Sequence, residues 1–108
     1  MTLKDELQQQ LAGFKQRMSP EVIATVQAGV DELIESDIAG RAIGKGDTAP
    51  DFKLPNAKGN TVALSSLLTN GPVVLTFYRG GWCPYCNLQL RAYQRILPKI
   101  RELGGQLV

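Results

Sequence analysis

The sequence predicts an α/β protein in which a βαβ core follows an N-terminal helical arm. Three observations carry that prediction. Val73 to Tyr78 is a continuous β-branched and aromatic run of the kind found in strands buried on both faces. Cys86 to Leu103 has helical periodicity and is followed by Gly104-Gly105 and the apolar start of another strand, Gln106-Leu107-Val108. Residues 1–42 hold two amphipathic stripes and no strand signal.

In the arm, Leu3, Leu7, Leu11, Phe14 and Met18 fall on one helical face, with Lys, Glu and Gln opposite. Ser19-Pro20-Glu21 reads as a second helix start: a capping serine, a proline at the first helical position and an acid in the first turn. That helix extends to about Asp37, with Ile23, Val26, Val30, Leu33 and Ile34 as its apolar stripe. Glycines at 40, 44 and 46 mark a linker, so residues 1–42 form the arm and 43–108 the α/β part. Neither polar face is cationic, which favours core or partner packing over a membrane surface.

After the linker, Phe52–Leu54 and Thr61–Leu64 flank Pro-Asn-Ala-Lys-Gly-Asn, a turn-forming stretch that predicts a short hairpin. Ser65 is the candidate cap of a helical turn ending at Leu68. The run Val73–Tyr78 then leads through a glycine-containing loop into the long helix, which Pro98 should kink. Strand, helix and strand in this order imply parallel strands and a right-handed crossover. The loop between them sits at the carboxyl edge of the sheet, where open α/β folds place their chemistry.

Composition removes several function classes. The 108 residues carry 12 basic and 10 acidic side chains in no polybasic block, so neither nucleic acid nor anionic lipid is an expected partner. The N-terminus lacks the apolar core of a signal peptide, and no apolar run is long enough to span a bilayer; a cytoplasmic protein is expected. Histidine is absent, which excludes Ser/His/Asp triads, Cys/His pairs and imidazole-ligated zinc sites. The only two cysteines, Cys83 and Cys86, stand in Cys-Pro-Tyr-Cys. In a reducing compartment that spacing points to catalysis or metal binding before scaffolding.

The placement of this motif suits thiol chemistry. A thiol attacks as its thiolate, which needs stabilisation at neutral pH. A helix N-terminus supplies it through unpaired N–H groups and the positive end of the macrodipole, and Cys83 and Cys86 straddle such a terminus. Arg79 on the incoming loop and Arg91 on the helix are candidate positive charges, and Trp82 is a candidate shield against water. Pro84 stiffens the first turn, while Gly80 and Gly81 allow a tight passage from strand to helix. Two inert core thiols are the plain alternative. A zinc site would need two more ligands from a symmetric partner, so no metal and no cofactor are expected.

Gly46-Asp-Thr-Ala-Pro-Asp-Phe52, a Val-rich strand ending in Phe-Tyr-Arg-Gly-Gly-Trp and a cysteine opening the next helix together resemble the peroxiredoxin superfamily. The resemblance is to the branch of alkyl hydroperoxide reductase and thiol-specific antioxidant proteins, and it covers about residues 44–108. It implies a thioredoxin-like fold, here incomplete at the C-terminus. It also implies reduction of hydrogen peroxide or organic hydroperoxides through a cysteine sulfenic acid. A second thiol then forms a disulfide, which an external reductant such as thioredoxin or glutathione reopens.

The family's spacing places Cys86 at the peroxidatic position, Cys83 where a Thr or Ser is usual and Arg79 where a proline is usual. The thioredoxin pattern instead makes Cys83 the nucleophile and Cys86 its resolving partner, so the two readings exchange the roles of the same sulfurs. The family's later-strand arginine and the thioredoxin-like cis-proline fall beyond Val108, and the chain reads as a truncated form. Three functions are therefore carried forward. They are a thiol peroxidase, a dithiol-disulfide oxidoreductase acting on proteins, and a non-catalytic module that associates through its arm. A homo-oligomer, such as a dimer, is expected in each case.

Overall fold

A computed structural model describes all residues, 1–108. The chain divides into two compact units, residues 1–49 and 50–108. The fold is mixed α/β, with the strands confined to the second unit.

The first unit is helical. Helix α1, Leu3–Arg17, starts in a capping box in which Thr2 Oγ1 accepts from the Asp5 N–H and the Asp5 carboxylate accepts from the Thr2 N–H. Met18 turns extended and closes the helix, its N–H donating to the Phe14 carbonyl. Helix α2, Pro20–Glu35, is capped by Ser19, whose hydroxyl accepts from the Val22 N–H at 3.3 Å. A short helix α3, Ile38–Arg41, follows Asp37, which adopts a left-handed conformation at φ 53°. The sequence predicts linker here, because a four-residue helix has too short a period to read. No residue of α1, α2 or α3 is fully buried, and Val22, Val26, Val30, Leu33 and Ile34 leave an apolar stripe of α2 exposed.

In the second unit, β1 (Lys53–Pro55) and β2 (Thr61–Ala63) pair antiparallel, Leu54 opposite Val62. Asn56 builds the turn: its side-chain oxygen accepts from the Lys58 and Asn60 N–H groups, and its backbone N–H donates to the Asn60 carbonyl. Helix α4, Leu64–Leu68, follows at once. Ser65 lies inside this helix and does not cap it. The capping acceptor comes from elsewhere: Asp51 Oδ1 takes the Ser65 N–H at 2.9 Å.

Strand β3 (Val73–Val74) and strand β4 (Gln106–Leu107) are parallel neighbours joined through helix α5, Pro84–Glu102. Bonds from Gln106 N–H to the Pro72 carbonyl and from Thr76 N–H to the Val108 carbonyl extend the ladder at both ends. Gly71 (φ 134°) makes the entry possible, because a Cβ there would run into the Gly104 carbonyl oxygen. This is the predicted βαβ unit, with two corrections. The ladder covers only the start of the run to Tyr78, and the run is not buried on both faces: Leu75 and Tyr78 are exposed and Phe77 is 84% exposed. One partner strand satisfies one edge and covers neither face, so apolar character alone did not make these residues interior. The helix also starts two residues before Cys86, and it runs on through Pro98 without a break.

Candidate active site

The residues that sink deepest into the chain are Leu64 and the two cysteines. Cys83 is 1% exposed and Cys86 is 8% exposed. Their position follows from the local sequence. Cys83 has extended backbone (φ −90°, ψ 105°) and is the N-cap of α5, and Pro84 at the first helical position has no N–H to leave unpaired. A cysteine sulfur thus stands where a serine or aspartate oxygen usually does. It accepts from the Cys86 backbone N–H at 3.4 Å. It also accepts from the Cys86 thiol at 2.8 Å, and both cysteines are free.

That arrangement polarises the pair. The Cys83 thiol is held below its ordinary value, chiefly because the Cys86 thiol donates to its sulfur. Burial opposes the effect, while the Cys86 N–H, the Arg79 charge and the Tyr85 N–H reinforce it. The result is a sulfur suited to exist as an anion beside a second thiol within reach of disulfide formation.

The loop before the cysteines is held by three features. The Cys83 N–H donates to the Gly80 carbonyl at 2.9 Å, and Asn87 Nδ2 donates to the Gly81 carbonyl at 2.9 Å. Gly80 has φ 154°, and a Cβ on it would collide with the Trp82 indole. Arg79 stacks on that indole, its guanidinium carbon 5.0 Å from the ring centroid. The structure therefore brings Cys83, Cys86, Arg79 and Trp82 into one loop-and-cap assembly. Trp82 is 71% exposed and carries Arg79 on its ring. Arg91 is on the exposed side of α5, about 140° around the helix from Cys86 at ~100° per residue, and is not among the charges that lower the Cys83 thiol.

Sequence reasoning missed Asn87 and Asp51. An amide one residue after the second cysteine is a local signal that an N-terminal turn could have offered. Asp51 reaches Ser65 across fourteen residues and has no such signal. An apolar groove of about 500 Å³ lies among Phe52, Leu54, Val62, Leu75, Phe77 and Val108; its lining contains none of residues 79–86.

Similarity to known proteins covers part of the chain. A protein of Mycobacterium tuberculosis strain H37Rv with a provisional peroxiredoxin name is 38% identical over 63 residues, covering 58% of this chain and 41% of that protein. The chloroplastic peroxiredoxin Q of Triticum aestivum is 33% identical over 66 residues, covering 61% of this chain and 30% of the relative. Its counterpart in Oryza sativa subsp. japonica is 32% identical over the same length. The chain thus spans less than half the length of these curated relatives. No solved structure matches it significantly, and no helix is long and apolar enough to cross a membrane. The profile of the AhpC/TSA family matches residues 45–108, more than half of the sequence and all of the cysteine-bearing βαβ unit, and the chain belongs to that family.

Proposed function

We propose that the protein is a peroxiredoxin-like thiol peroxidase that reduces hydrogen peroxide or organic hydroperoxides through Cys83 and Cys86. The observation that carries this reading is the contact between the two free sulfurs at the N-terminus of α5. Family membership supplies the reaction class.

The hydrogen bonds favour Cys83 as the attacking thiolate and Cys86 as the resolving thiol. In the first step the Cys83 sulfur attacks the terminal oxygen of the hydroperoxide. An S–O bond forms, the O–O bond breaks, and the alkoxide or hydroxide leaves as an alcohol or water after taking a proton. In the second step the Cys86 sulfur attacks Cys83. The S–S bond forms, the S–O bond breaks, and water leaves. An external thiol, of the thioredoxin or glutathione class, returns the disulfide to two thiols and is itself oxidised. Arg79 keeps positive charge near the sulfur that carries the anion.

Peroxide titration of the reduced protein with intact-mass detection tests the reading. The wild type is expected to lose two hydrogens per equivalent of peroxide, and Cys86→Ser to retain one oxygen on Cys83. A Cys86→Ser protein that stays unmodified while Cys83→Ser gains the oxygen would reverse the roles. Wild-type protein unchanged by peroxide would end the peroxidase reading.

A dithiol-disulfide oxidoreductase acting on proteins is the second reading, favoured by the lowered Cys83 thiol at the first position of C-x-x-C. Insulin reduction without peroxide consumption would select it. The exposed stripe on α2 supports association of the arm with a second copy, and light scattering of a Cys83→Ser, Cys86→Ser variant separates that property from the chemistry.

A further inference from the structure

We infer that the site selects hydrogen peroxide, the smallest hydroperoxide, against bulky organic hydroperoxides and folded-protein disulfides. The inference rests on the peroxidase reading above and narrows its substrate class.

At 1% and 8% exposure, Cys83 and Cys86 offer almost no sulfur surface to an approaching molecule. Attack on a peroxide is in line: the terminal oxygen touches sulfur, and the leaving oxygen with its substituent lies directly behind. For hydrogen peroxide that substituent is a proton, so an opening of about water size suffices. A cumyl or fatty-acyl substituent requires a cleft beside the sulfur as wide as the group itself. A disulfide within a folded protein requires more still, since the neighbouring chain must approach to bonding distance of Cys83.

The loop that leads into Cys83 is pinned at two adjacent carbonyls. The Cys83 N–H holds the Gly80 carbonyl and the Asn87 side chain holds the Gly81 carbonyl, each at 2.9 Å. Moving this loop away from the cap to admit a larger group means breaking these bonds before any contact with the substrate replaces them. The apolar groove does not relieve the constraint, because its lining includes no residue from Arg79 to Cys86. Volume suited to an alkyl group is therefore present in this unit, but it is not built around the thiols.

With hydrogen peroxide the chemistry balances in two steps. The Cys83 sulfur forms an S–O bond as the O–O bond breaks, and the departing hydroxide takes a proton to become water. Attack by Cys86 forms the S–S bond and releases the second oxygen as water. Reopening the disulfide takes two electrons, one from each of two small monothiol molecules, which leave joined to each other as a disulfide.

The test uses the fluorescence of the single tryptophan, Trp82, which adjoins Cys83. Reduced protein is mixed with hydrogen peroxide, tert-butyl hydroperoxide or cumene hydroperoxide, and the products are verified by mass. Each rate is divided by the rate of the same reagent with urea-unfolded protein, which removes intrinsic reactivity. The normalised rate for cumene hydroperoxide is expected to fall at least about tenfold below that for hydrogen peroxide, with tert-butyl hydroperoxide between them. Asn87→Ala, which frees the Gly81 carbonyl, should narrow that gap. Equal normalised rates overturn the size selection while leaving the peroxidase reading intact, and an unchanged gap in Asn87→Ala overturns the role given to the pinned loop. No oxidation of folded protein by any of the three reagents defeats the peroxidase reading, and the selection with it.

Discussion

Cys86 donates twice to Cys83, from its backbone N–H at 3.4 Å and from its thiol at 2.8 Å. The two bonds differ in what a substitution removes. Cys86→Ala keeps the N–H and deletes the thiol, the largest cause of the lowered Cys83 pKa, whereas Cys86→Ser keeps a donor in nearly the same place. Alkylation of Cys83 by iodoacetamide should therefore rise with pH, level off at lower pH than for a free cysteine, and shift upward in Cys86→Ala, with Cys86→Ser between. Coincident profiles for Cys86→Ala and wild type would show that the thiol donor does not set the ionisation. The sign for stability follows: a thiol depressed on folding contributes stability above its unfolded pKa, and this is lost as pH falls through the folded value.

Arg79 contributes to the same ionisation by charge, and it is held at 5.0 Å over the Trp82 ring. Exposed charges are screened by salt, whereas the hydrogen bonds at the cap are not. Wild-type Cys83 should lose reactivity as salt is raised, and Arg79→Ala should be slower at low salt and nearly insensitive to it. Trp82→Phe retains a ring face and should behave like wild type. Trp82→Ala loses a contact of about 0.5–1 kcal/mol for an exposed cation–π pair and should move towards Arg79→Ala. Trp82→Ala with an unaltered salt profile would separate the indole from the positioning of Arg79.

Gly80 carries both of the demands that the loop makes on its backbone, a φ of 154° and space for the Trp82 indole. Gly80→Ala should lower the urea-unfolding free energy by roughly 1–3 kcal/mol, the usual cost of an unfavourable backbone conformation. It should also displace the indole, which a change in the Trp82 emission maximum would report. Unchanged stability and emission together would mean that the loop adopts another path at little cost.

These relationships also explain what the sequence disclosed and what it withheld. The cap of α5, the proline after it and the paired cysteines are set within four residues, and such local chemistry is legible in a linear string. The same is true of the Ser19 cap and of the Asn56 turn. The bond from Gln106 Nε2 to the Leu67 carbonyl spans thirty-nine residues, and the Gly71–Gly104 approach joins two distant turns. No local pattern encodes either. Leu75, Phe77 and Tyr78, exposed although apolar, show the converse limit: periodicity reports what a segment is able to bury, whereas neighbours decide what is buried.

Asp51 illustrates the same long reach and has a measurable pH signature. Its carboxylate accepts the Ser65 N–H at 2.9 Å, which is the main reason its pKa lies below the usual carboxylate value, with the Ser65 side chain second. A depressed folded pKa makes the stabilisation present above the unfolded pKa and lost as pH falls through the folded one. Thermal melts of the wild type should therefore shift to lower temperature through that acidic window. Asp51→Asn retains an acceptor without a titrating charge, so its melting temperature should start lower at neutral pH and fall less on acidification. Asp51→Ala, with no acceptor for the start of α4, should be the least stable of the three at neutral pH. An Asp51→Asn protein that tracked the wild type across the whole acidic range would show that the Ser65 N–H does not distinguish the charged carboxylate from the neutral amide.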